Sequence, residues 1–242
     1  MSSWDDVGFP EGWRLVALDE AESTNDEIRL RVDEQEGLVV LAERQTAGRG
    51  RRGAAWFSES GKCLTFSVLL RPSEPKPLWP RLSLAAGLAV AEALNRIGLE
   101  AEIKWPNDVL VRGKKICGIL VESAGDRAIV GIGLNVNTKE FPGELEATSV
   151  FQELETEWDR EEILTLVLKA LEGWSSEIGA GFGNLLAGVK ERCWLTGKRV
   201  RLTAVDELVE GLARGIGPQG DLVVETPAGV RSFVQASEIR LV

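Results

Sequence analysis

The spacing of apolar and polar positions predicts an alternating set of short strands and a few long helices. Trp13–Leu18, WRLVAL, reads as a strand. Ser23 and Thr24, each with an acidic residue three positions on, have the form of a capping box opening a polar helix to about Val32. Leu38–Ala42 and Leu64–Leu70 are continuous apolar runs, the pattern of buried strands, and Arg71-Pro72 stops the second. Between them, Gln45–Ala55 is a loop rich in Gly and Arg. The clearest helix spans Leu78–Ile97, where Leu82, Ala85, Ala86, Ala89, Ala93 and Leu94 recur at helical spacing and Gly98 ends the run. Strands follow near Ala101–Lys104, Asp108–Val111, Lys115–Ser123 and Ala128–Val136, with turns at Arg112-Gly113-Lys114 and Gly125-Asp126. Helical periodicity returns from Glu161 to about Ile178 and again from about Gly183 to Cys193.

Beyond Gly197 the rhythm changes. Val200–Ala204, Leu208–Ile216, Asp221–Glu225, Val230–Gln235 and Ile239–Val242 are short strands spaced by Gly and Pro, which predicts a small barrel with little core of its own. The expected division is a catalytic, ligand-binding domain over residues 1–195 and a small barrel over 196–242. No steady strand–helix–strand alternation runs through the first part, so the expected class is α+β with an antiparallel or mixed sheet.

Composition narrows the chemistry. The chain has neither histidine nor tyrosine, which removes Ser-His-Asp and Cys-His triads and HExxH zinc chemistry. Acid–base work then falls to Asp, Glu, Lys or the substrate. Cys63, Cys117 and Cys193 are odd in number and far apart, so buried, reduced thiols are expected rather than disulfides or a metal site. The net charge of −10 disfavours nucleic acid as a partner, so a local basic cluster is expected to meet one small anion. No apolar run is long enough to span a membrane, and Met1–Asp6 carries no signal pattern; the expected location is the cytoplasm.

Four segments carry candidate chemistry. Gly48, Gly50 and Gly53 satisfy the dinucleotide spacing GxGxxG, but a strand rather than a helix follows, so the Rossmann reading is rejected. The same loop carries Arg49, Arg51 and Arg52, and is either a solvated basic turn or an anion loop. Lys104-Trp105-Pro106-Asn107-Asp108 is either a turn or a site in which Asp108 accepts a proton or holds Mg²⁺ and Asn107 fixes a nucleotide. Lys114-Lys115 precedes an apolar strand containing Gly118, an arrangement that places one lysine at the mouth of the sheet or two in a solvated hairpin. In VGIGLNVN, residues 130–137, two strand glycines suggest close approach by a ligand or another backbone, and Asn135 and Asn137 share a face.

Taken in order, STND at 23–26, RQTAGRGRRG at 44–53, KWPNDVLV at 104–111, KKICGILVE at 114–122 and VGIGLNVN at 130–137 resemble the biotin–protein ligase family. The likeness resumes in the terminal barrel at Trp194–Val200. It implies a catalytic domain related to class II aminoacyl-tRNA synthetases with a mixed sheet, followed by an SH3-like barrel. The chain looks like the short form, with about a dozen residues before the first strand and no DNA-binding domain expected.

By the same resemblance, Ser23, Thr24, Asn25 and Gln45 would meet the biotin rings, and Gly48 to Gly53, with Gly50 between the arginines, would close over biotin and adenylate. Gly118 and Gly133 would border biotin. Arg49, Arg51 and Lys115 would neutralise carboxylate and α-phosphate, Trp56 would flank the adenine, and Asn107 and Asn135 the nucleotide. The implied reaction is attack of the biotin carboxylate on ATP, with Mg²⁺, to form biotinyl-5'-AMP, then transfer to a lysine of a biotin carboxyl carrier domain. Two anions must be brought together, so cations and positioning dominate. Asp108 would take the acceptor lysine's proton, or bind Mg²⁺. Many relatives carry a basic residue where this chain has Ala54, which leaves the loop less cationic. A lipoate or octanoate transferase and a biotin-sensing regulator are the rival readings. The strand edge near Ala128–Val136 leaves a homodimer open.

Overall fold

A computed structural model describes Trp4 and residues 9–143, 145–204 and 207–242. The apolar runs become strands of one seven-stranded sheet: β1 (Arg14–Ala21), β2 (Leu38–Gln45), β3 (Cys63–Leu70), β4 (Ala101–Lys104), β5 (Asp108–Val111), β6 (Lys114–Ala124) and β7 (Arg127–Asn135). Their order across the sheet is β1-β2-β3-β7-β6-β5-β4. Helix α1 (Thr24–Leu30) connects β1 to β2, which are parallel, and every other neighbour is antiparallel, so the sheet is mixed. Every residue of β3 is buried, which accounts for its unbroken apolar run.

One face of the sheet is sealed by α2 (Arg81–Arg96), with α4 (Arg160–Ser176) and α5 (Phe182–Glu191) packed around it. The alanines of α2 let helix and sheet approach closely, and Leu82, Leu88 and Leu94 are fully buried there. Among the described residues, the opposite face carries a small apolar cluster beneath α1, formed by Ile28, Leu38, Val40, Leu69 and Ile129. A second, antiparallel sheet follows: β8 (Arg199–Ala204), β9 (Glu207–Ile216), β10 (Leu222–Thr226), β11 (Gly229–Phe233) and β12 (Glu238–Leu241), in the order β11-β10-β9-β8-β12. Its buried side chains are continuous with the main core. All three cysteines are buried and free.

Several expectations are corrected. Helix α1 stops at Leu30, and the capping box does not form: Ser23 is the N-cap residue but makes no side-chain cap bond. Gln45 Oε1 accepts the Thr24 N–H at 2.9 Å instead, while Asp26 turns toward Arg29 and Arg49. Gln45 also ends β2, paired with Ala21 of β1, rather than sitting in the loop. Helix α2 begins at Arg81, with Lys76–Leu78 forming a separate 3₁₀ turn before Pro80. A short helix, α3 (Val150–Leu154), was not foreseen; five residues are too few to display a period, though Ser149 caps it by accepting from Gln152 N. The edge proposed for self-association is internal, because β7 pairs with β3 on one side and β6 on the other.

Candidate active site

On the face that α1 only partly covers, the side chains shrink. Gly118 on β6 lies opposite Gly133 on β7, and Gly131 lies opposite Ser67 on β3. These positions leave a trough in an otherwise well-filled sheet. Two side chains occupy it closely. Asn25 packs against Gly131 so tightly that a Cβ there would overlap its amide, and the Trp56 indole lies in the same way over Gly133. A Cβ on Gly118 would stand 3.0 Å from Trp56 and 3.1 Å from Lys115 Nζ.

What remains is a cavity of about 210 Å³, lined at one end by Ser23, Thr24, Asn25 and Gln45 and at the other by Arg51, Asn107, Asp108 and Lys115. The side chains of the first end are neutral and rich in hydrogen-bonding groups, with the Arg49–Asp26 ion pair at its rim. Thr24, Asn25 and Ser23 are all buried at the start of α1. Ser67, also buried, lies within 2.7 Å of Thr24 Oγ1 and donates to Asn25 Oδ1 at 2.6 Å.

The second end is cationic. Lys115 reaches it because of a register irregularity. Val109 pairs with Cys117 but Leu110 pairs with Lys115, so Ile116 is an extra residue on β6. Strict alternation would put Lys115 on the face opposite Gly118; the bulge returns it to the glycine face, while Ile116 and Cys117 both stay buried. The backbone of Lys115 is held by Glu146 and Thr148, and its Nζ lies 2.8 Å from Asp108 Oδ1 and 5.6 Å from the centre of the Trp56 ring. The lysine–aspartate approach is a charge contact rather than an aligned hydrogen bond, so buried Asp108 Oδ1 keeps its accepting capacity. Asn107 is locked to Ile119 through both backbone and amide, and its Oδ1 accepts from Arg51 at 3.3 Å.

Loop 48–56 closes over these groups as a tight hairpin. Trp56 N donates to Gly48 O and Gly50 N to Ala54 O. Arg52 at φ 56° and Gly53 at φ 77° make its turn. The two flanking arginines differ. Arg51 points inward, and burial, reinforced by neighbouring Arg52 and opposed by Asp108, holds its guanidinium below its ordinary basicity. Arg49 stands at the rim in a two-pronged pair with Asp26, both contacts 2.7 Å. That hydrogen bonding raises the basicity of Arg49 and lowers the pKa of Asp26, with Arg29 helping.

The structure thus brings Ser23, Thr24, Asn25, Gln45, Arg49, Gly50, Arg51, Trp56, Asn107, Asp108, Lys115, Gly118 and Gly133 to one cavity. Gly48 and Asn135 are not in its lining. Gly48 makes room for Gln45, whose Nε2 would lie 3.0 Å from a Cβ at that position. Asn135 spends its amide on Thr148 O, and Asn137 its amide on Trp158 O, so both brace the chain after β7. Sequence reasoning missed Ser67, Asp26 and Glu122. A serine inside the apolar run of β3 was the available signal for the first. Among the described residues no three His, Cys, Asp or Glu side chains cluster to hold a metal ion. None of the described helices is long and apolar enough to cross a membrane.

Comparison with known proteins bears on this geometry. Residues 17–138 match the model of the biotin/lipoate A/B protein ligase family, and residues 195–241 match that of the biotin protein ligase C-terminal domain. The chain is 35% identical to the biotin–[acetyl-CoA-carboxylase] ligase of Mycobacterium tuberculosis, over 96% of this chain and 91% of that protein. It is 34% identical to the bifunctional ligase/repressor BirA of Bacillus subtilis strain 168, matching over 83% of its own length and spanning 65% of that relative. The biotin protein ligase of Aquifex aeolicus, solved in complex with biotin and ATP, superposes with a TM-score of 0.87 at 33% identity, covering 95% of this chain and 99% of that one.

Proposed function

The chain belongs to the biotin/lipoate A/B protein ligase family, and from that premise we propose that it joins biotin to a lysine of a biotin carboxyl carrier domain at the expense of ATP. The observation that carries this reading is the two-ended cavity, with a neutral, hydrogen-bonding recess joined to the inward-facing cations Arg51 and Lys115. Biotin has the same division, a polar ureido ring at one end and a carboxylate at the other. A lipoyl dithiolane has no hydrogen-bonding groups, and would leave the remaining hydrogen-bonding capacity of Thr24, Asn25 and Gln45 without ligand partners. The named activity of the Mycobacterium relative and the biotin and ATP bound by the Aquifex protein support the same choice.

In the first step the biotin carboxylate oxygen attacks the α-phosphorus, and the bond to pyrophosphate breaks. Arg51 and Lys115 offset the negative charge gathered there, and Asn107 orients Arg51. Trp56 closes the cavity against water; its buried Nε1 has no acceptor among the described residues and is free to donate to a ligand. In the second step the acceptor amine attacks the acyl carbon, the bond to AMP breaks, and one proton leaves the nitrogen. Asp108, with an unfilled acceptor oxygen beside Lys115, is the group assigned to orient that amine and take the proton. Magnesium is the ion such ATP chemistry uses. Asp108 is the lone carboxylate among the described lining residues and is already paired with a lysine, so these side chains do not form a magnesium site of their own.

The site residues named above are assigned to a domain over residues 1–195 and the small sheet to a domain over 196–242 of a cytoplasmic enzyme, with Ser237 of the second also lining the cavity. The test is incubation with ATP, Mg²⁺ and either biotin or lipoate, reading pyrophosphate release and the mass of a carrier domain. Biotin-dependent release with a biotinyl mass gain is expected. A lipoyl gain in its place would overturn the reading.

A further inference from the structure

Outside the cavity lining, one carboxylate determines which atoms inside it donate and which accept. Glu122, on β6, accepts from the Asn25 amide at 2.7 Å and is itself paired with Arg29 at 3.3 Å. A carboxylate can only accept, so the Asn25 atom facing it is the nitrogen, and Oδ1 faces Ser67. An amide oxygen also only accepts, so Ser67 spends its single proton on Asn25 at 2.6 Å. The single threonine proton is then shared between Ser67 at 2.7 Å and Gln45 Oε1 at 3.2 Å. Thr24 is left as an acceptor toward the cavity. Its backbone N–H holds Gln45 Oε1 at 2.9 Å, which leaves the Gln45 nitrogen as a donor. The second Asn25 proton is likewise available.

From this chain we infer that Ser67 and Glu122 are positioning residues that set the hydrogen-bond polarity of the recess, making it specific for a ring carbonyl flanked by N–H groups. The inference rests on the proposed biotin reading and deepens it. The recess offers donors for the carbonyl and an acceptor for a ring N–H, the complement of a cyclic urea. A cyclic guanidinium of the same shape replaces the carbonyl oxygen with a further donor and meets donors instead. Freed of Glu122 or Ser67, the Asn25 amide can turn over and present its oxygen, which removes the basis for that discrimination. Neither residue lines the cavity, and both are buried or half-buried behind Asn25.

The experiment compares wild type, Ser67→Ala and the isosteric Glu122→Gln in pyrophosphate release, with biotin and with its cyclic guanidine analogue as substrates. Each variant is expected to raise the KM for biotin about tenfold, the scale of one charge-assisted or buried hydrogen bond. The KM for ATP stays unchanged, and the preference for biotin over the analogue shrinks by a similar factor. A merely structural role would impair both substrates equally and leave their ratio at the wild-type value; that result overturns the inference, even in a variant of lowered melting temperature. Should Ser67→Ala fail to fold, the Glu122→Gln ratio decides alone. Absence of biotin-dependent release by the wild type would instead refute the functional reading and this inference with it.

Discussion

The two faces of the main sheet are built from the same strands, yet one is a sealed core and the other an open cavity. On the face under α2, strand positions carry Ile119, Ile132, Val130 and Leu134, all buried. On the other, the alternate positions carry Gly118, Gly131, Gly133 and Ser67. Alternation makes this possible, because neighbouring residues of a strand serve different faces and can be chosen independently. One face contributes packing and the other room for a ligand. Neither Asn25 nor Trp56 could lie where it does if the glycine face carried side chains.

The sharpest way to break this contrast is to fill the trough. Gly133→Val places a branched side chain where the Trp56 indole lies, on a strand backbone that favours such residues. Biotin binding by calorimetry is expected to vanish while the far-UV circular dichroism of the sheet persists. Next in size, Lys115→Ala removes a preorganised cation and should slow biotin-dependent pyrophosphate exchange about 10²–10³-fold with little change in melting temperature.

The opposite face should answer in the opposite way. Leu88 is fully buried on α2 and fits against Gly188 of α5. Leu88→Ala is expected to cost about 2–5 kcal/mol in denaturant unfolding and to leave the biotin Kd of the folded protein unchanged. The smallest effect concerns Asp26 at the cavity rim. Hydrogen bonding to Arg49, opposed by partial burial and helped by Arg29, holds its pKa below the ordinary 3.8. A depressed carboxylate contributes stability above its unfolded pKa and loses it as pH falls through the lower folded value. As pH falls below about 4, wild-type melting temperature should therefore fall slightly more steeply than that of Asp26→Asn.

Much of the architecture was legible along the chain. Continuous apolar runs marked β2 and β3, alanine and leucine at helical spacing marked α2, and Gly- and Pro-spaced short strands marked the second sheet. Boundaries and short elements were less so. Gln45 reads as loop beside Thr46 and Ala47, yet it completes β2 because β1 offers it a parallel partner in Ala21. Helix α3 is held by Ser149 and by contacts after β7, with no period to announce it. The stretch Ala128–Val136 reads as a strand edge, since nothing local reveals that β3 and β6 flank it.

The motifs themselves, from Ser23 to Asn137, lie in the order of residues, and local chemistry was enough to single out the arginine loop, the strand lysine and the paired glycines. Register and sheet order decided the rest: the extra residue at Ile116 that turns Lys115 inward, the Gln45 side chain that replaces a local cap, and the meeting of Ser67 and Glu122 on Asn25. Periodicity records only which face a residue takes within its own element. Which distant residues share that face depends on how strands pair, and a shift of one residue in pairing reverses every side chain beyond it.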